Sequence, residues 1–97
     1  MNIERLGITP GPWEIEKTSV SPNHLDSLIK TSDDAKYIGW IYNDHSADAR
    51  LIAAAPEMLE ALIELCVFIN PANDDIAIIA IERATGKTWE KVKEIIG

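Results

Sequence analysis

The chain has 97 residues, 46% of them hydrophobic and 26% charged, a composition that suits one compact globular domain and excludes global disorder. Sixteen acidic residues against nine basic ones leave a formal charge of −7, which disfavours long-range attraction to nucleic acid or to an anionic membrane. The N-terminal segment lacks a basic stretch followed by a long apolar one, and no apolar run approaches the roughly 20 residues needed to span a bilayer, so a cytoplasmic protein is expected.

Thr9-Pro10-Gly11-Pro12 cannot continue a helix, and Trp13-Glu14-Ile15-Glu16-Lys17-Thr18 alternates bulky apolar with charged residues, as a strand covered on one side does. Ser21-Pro22-Asn23 marks a turn, Leu28 to Thr31 a weaker strand, and Ser32-Asp33-Asp34-Ala35 a second turn. Tyr37 to Tyr42 reads as the third strand. Strict period-two geometry places Ile38, Trp40 and Tyr42 on one face and Tyr37, Gly39 and Ile41 on the other, so that one aromatic set packs under the helices.

Ser46 is suited to cap a helix, with Asp48 in its first turn at the positive end of the macrodipole. Leu51, Ala55, Met58, Leu62, Leu65 and Ile69 then recur at three- and four-residue steps, which predicts a core-facing stripe, while Glu57, Glu60 and Glu64 mark a polar side. Pro56 removes an amide donor and crowds the preceding turn, so a break is expected near Ala54 or Ala55. Asn70-Pro71 ends this segment. Asn73-Asp74-Asp75 can cap a further helix running to Ala84, with Gly86 in the left-handed position after it. Ile76 to Ile81 also has the β-branched content of a buried strand, but Glu82 to Gly86 extends it to helical length. Thr88 caps a terminal helix carrying Trp89, Val92, Ile95 and Ile96.

Strands first and helices after predict an α+β fold: a small antiparallel sheet of about three strands packed by two to four C-terminal helices. The expected organisation is a single domain over 1–97, strand-rich over 1–44 and helical over 45–97. A core of this size gives modest stability, so a homo-oligomer whose copies cover each other's apolar faces is also expected.

The chemistry-bearing residues are sparse. Gly86-Lys87-Thr88 ends as a phosphate-binding P-loop does, but Ile81 stands where that loop needs its first glycine, leaving a helix stop followed by a helix start. His24 and His45 have no second histidine or cysteine at metal-ligand spacing, and Asp33-Asp34 and Asp74-Asp75 occur where turns and caps want short acids. Cys66, the sole cysteine, lies in an apolar run and reads as a buried, inert thiol in a reducing compartment. No catalytic residue, metal site or cofactor is expected. The candidate ligand site is Trp40, Tyr42, His45 and Arg50, where rings for stacking and a guanidinium for phosphate approach a strand-to-helix transition; the competing reading places these residues in the sheet–helix core.

Thr9-Pro10-Gly11-Pro12-Trp13, followed by Asp48-Ala49-Arg50-Leu51-Ile52-Ala53-Ala54-Ala55-Pro56-Glu57-Met58-Leu59-Glu60-Ala61-Leu62, resembles a widespread family of small phage and prophage proteins of uncharacterised function. The resemblance implies an origin in a bacterial virus or integrated prophage and action within the infected cell, and it carries no reaction. Size, compartment and setting together suggest a non-enzymatic accessory protein that interferes with a host defence system, by binding a host protein or by sequestering a small signalling nucleotide. The alternative is a homo-oligomeric structural or assembly module without a ligand, and a small hydrolase ranks last.

Overall fold

A computed structural model describes residues 3–21, 24–42 and 47–97. Three strands, β1 (Trp13–Ser21), β2 (His24–Thr31) and β3 (Tyr37–Ile41), form an antiparallel sheet in the order β1-β2-β3. The strand-then-helix order expected from the sequence is the one observed, although β2 is twice the length of the predicted Leu28–Thr31 segment. The turn expected at Ser21-Pro22-Asn23 lies partly outside the described residues. The turn after β2 follows from its side chains. Asp33 accepts from the Thr31 hydroxyl at 2.6 Å and from the Ala35 amide at 3.0 Å, and Asp34 takes the left-handed conformation at φ 62°.

The chain divides into two compact units, Gly11–Ala55 and Met1–Pro10 with Pro56–Gly97. In the first, helix α1 (Ala47–Ala53) packs against β1 and β2 and buries Ala49. Ile29 and Ser27, whose register partners on β1 and β3 are Ile15, Lys17, Gly39 and Ile41, are also buried, which marks the helix-covered side of the sheet. The proposed cap of α1, Ser46, lies outside the described residues. The helix stops at Ala53 and the next begins at Ala55, so the break falls where Pro56 predicts it.

The second unit holds helices α2 (Ala55–Ile69), α3 (Ile76–Thr85) and α4 (Trp89–Ile96), joined by a short 3₁₀ turn, Ile3–Leu6, that no periodicity announced. Its core is Ile3 and Leu6 from that turn, Leu59, Ile63 and Cys66 from α2, Ile78 and Ile81 from α3, and Trp89 and Val92 from α4. The segment with strand-like content, Ile76 to Ile81, is helical. Asp75 caps it by accepting from the Ala77 amide at 2.8 Å, and Gly86 closes it at φ 70°. Thr88 caps α4 by accepting from the Lys91 amide at 3.2 Å, while the Glu82 carboxylate accepts from the Trp89 amide at 2.9 Å. The Gly86-Lys87-Thr88 sequence is thus a helix stop and start.

The stripe predicted to face the core does not. Leu51, Met58, Leu65 and Ile69 are exposed, Leu65 by 52%, and only Leu62 of that set is partly buried against the core. The buried stripe runs through Leu59, Ile63 and Cys66 instead. Apolar residues occupy most of the circumference of α2, so spacing alone leaves two sides available. The side taken is the one that the 3₁₀ turn, α3 and α4 cover.

Candidate functional site

Alternation along β1 directs Glu14 and Glu16 away from the helix-covered side, and antiparallel register places them opposite Lys30 and Leu28 of β2. Both glutamates are exposed. Lys30 sits among carboxylates: its ammonium is hydrogen-bonded to Asp34 and lies 3.6 Å from Glu14 and 3.8 Å from Glu16. The hydrogen bond to Asp34 holds the Lys30 ammonium above its ordinary pKa against the opposing effect of burial, with the charges of Asp34, Glu16 and Glu14 adding to it.

Trp40 pairs with Leu28 on the same uncovered side. Its indole Nε1 donates to Asp26 Oδ2 at 2.8 Å, a diagonal contact along the ladder. Asp26 is 2% exposed, whereas Trp40 is 64% exposed, so a buried carboxylate fixes the edge of the indole and its residue remains largely in water. The aromatic set expected beneath the helices is therefore on the open side. Tyr42, just past the end of β3, is 75% exposed.

Tyr37 also belongs here, against the strict alternation expected from the sequence. The register passes from Ile29↔Gly39 to Lys30↔Tyr37, which makes Ile38 an extra, bulged residue and shifts Tyr37 to the face of Trp40. Gly39 within the strand is the sequence signal that could have revealed the bulge. Asp26, whose carboxylate orients Trp40, carries no comparable signal, because its role depends on a neighbouring strand.

Of the four residues proposed as a ligand site, Trp40 and Tyr42 stand together at the end of β3 and are exposed. Arg50 is exposed on α1, the helix of the opposite, covered side of the sheet. His45 lies outside the described residues. Asp33 and Asp75 have structural roles, in a turn and a cap, and hydrogen bonds from Thr31 and the Ala35 amide hold the Asp33 carboxyl below its ordinary pKa. Cys66 is buried in the helical core, where burial pushes its thiol pKa up and the nearby charge of Asp75 pushes it further. Among the described residues, no group of three or more His, Cys, Asp or Glu side chains is placed to hold a metal ion. No helix among them is long and apolar enough to cross a membrane.

The arrangement offers exposed aromatic rings, one of them fixed, beside fixed carboxylates. Such a surface can receive a flat or aliphatic group on the rings and a cation on the acids.

The model of the family described as Salmonella phage P22 protein Y8K6 matches residues 1–90. No curated protein and no solved structure matches the chain.

Proposed function

Because the chain belongs to this phage protein family, we propose that it is a non-enzymatic accessory protein of a phage or prophage that interferes with a host defence system in the host cytoplasm. On this reading it acts by binding a host protein through the uncovered face of its sheet. The observation that carries the proposal is the Trp40–Asp26 hydrogen bond, which orients a tryptophan that is 64% exposed. An aromatic side chain already held in place loses little conformational freedom on binding, and tryptophan is among the residues that dominate interface energies.

Charge favours a protein over a nucleotide. Trp40 could stack on a base as readily as on a side chain, but a phosphate placed beside it meets the Asp26 carboxylate at the indole nitrogen, on a face that also carries Glu14 and Glu16 two strands away. Lys30, the lysine among them, is already engaged by three carboxylates. Lysine or arginine side chains of a protein partner meet the exposed Glu14 and Glu16 favourably and can lie over the ring.

Native mass spectrometry of the protein recovered from infected cells, compared with its denatured mass, tests the reading. A bacterial protein retained by the wild-type chain and lost with Trp40→Ala is the expected result. Added mass of nucleotide size, or a bare multimer, would replace host-protein binding with sequestration or assembly.

A further inference from the structure

The uncovered face of the sheet is laid out in two rows that run across the strands. Register places Trp40, Leu28 and Glu16 in one row and Tyr37, Lys30 and Glu14 in the other. Each row begins with an exposed ring on β3 and ends with an exposed carboxylate on β1. Adjacent strands lie about 4.8 Å apart, so ring and acid are separated by about 9.6 Å. Leu28, partly buried between Trp40 and Glu16, gives the first row an apolar middle.

That spacing selects a backbone. A polyproline II helix has three residues per turn and rises about 3.1 Å per residue, so side chains i and i+3 share one side about 9.3 Å apart. In a β-strand, residues three apart point to opposite sides, and i and i+2 span only about 6.8 Å. An α-helix reaches about 10.5 Å between i and i+7, but its carbonyls are taken up by internal hydrogen bonds. Tyr37 separates these two. Among the described residues its hydroxyl has no hydrogen-bond partner, and a polyproline II backbone, which makes no internal hydrogen bonds, offers it a free carbonyl.

The ends of the first row set the side chains. Proline is stiff and apolar, and it lies flat on an indole that Asp26 already holds. At the far end Glu14, Glu16 and Asp34 share the single ammonium of Lys30, which leaves net negative charge for a basic residue.

We infer that the segment docking on this face is a polyproline II stretch of the host protein, with proline over Trp40 and lysine or arginine three residues from it, at Glu16. The inference rests on the uncovered face being the host-binding surface and names what that surface recognises.

The test uses the full chain and two labelled peptides of the same composition, with arginines either three or two residues to each side of a central proline. By fluorescence anisotropy, the three-residue spacing is expected to bind at least about five-fold more tightly, and replacing its prolines by alanine should remove that advantage. Trp40→Ala should weaken binding by about ten-fold, and Tyr37→Phe and Glu16→Gln by about three-fold each, with unchanged circular dichroism. Equal binding at both spacings, full retention by Tyr37→Phe and Glu16→Gln, or no binding of either peptide would overturn the inference. If the peptides fail while a host protein still crosslinks from position 37, only the recognised segment is wrong. If the three-residue peptide binds and no host protein crosslinks, the host-protein reading fails instead.

Discussion

The indole nitrogen of Trp40 donates a 2.8 Å hydrogen bond to the carboxylate of Asp26, joining an exposed ring to a buried acid across two neighbouring strands. Replacing Asp26 by alanine removes the acceptor. The expected result is a loss of about 1–3 kcal/mol in the stability of the sheet unit, together with faster solvent exchange of the Trp40 indole proton. Exchange measured by NMR, with the resonance assigned through Trp40→Phe, checks this. An unchanged exchange rate would mean that Asp26 does not hold the ring.

The two sides of α2 give opposite expectations for neighbouring residues. Ile63 is fully buried, so Ile63→Ala should cost about 2–5 kcal/mol by transfer and cavity terms. Leu65 is half exposed, and Leu65→Ala should stay within about 0.5 kcal/mol. Urea denaturation of the two variants decides between this orientation and the one that residue spacing alone suggests.

Helix ends supply a third check. Thr88 caps α4 through its side chain, and Thr88→Ala should destabilise the helical unit by about 1 kcal/mol. Gly86 sits at φ 70° in open space, with no atom near the position of an added Cβ. Gly86→Ala should therefore cost about 1–2 kcal/mol from backbone strain alone, with no steric contribution from neighbours. Thermal denaturation followed by circular dichroism measures both.

Cys66 is expected to resist alkylation in the folded protein and to react on unfolding, because burial favours the neutral thiol. The sign of the linkage follows. A thiol whose pKa is raised by folding contributes stability below its ordinary pKa of roughly 8.5 and loses it as pH rises through the higher folded value. Cys66→Ala should flatten the fall in stability above this pH, which denaturation midpoints across an alkaline series will show.

The order of elements, the break before Pro56 and the caps at Asp75 and Thr88 were legible because each depends on residues adjacent in the sequence. The side of α2 that enters the core was not, since Leu59 and Met58 are equally apolar and the choice is made by Ile3, Ile78 and Trp89 from elsewhere in the chain. The candidate site was legible in Trp40 and Tyr42. It was incomplete in Tyr37, which a single bulged residue moved to their face, and in Asp26, whose part depends on strand register.

The most direct test of host-protein binding by the sheet face is photocrosslinking in infected cells. A benzophenone amino acid would replace Tyr37, beside Trp40 on the uncovered face, or Glu90, exposed on α4. The expected result is a covalent adduct with a bacterial protein from position 37 that is absent from position 90 and disappears with Trp40→Ala. Equal adducts from both positions, crosslinks only to other copies of the chain, or no protein adduct at position 37 would contradict it.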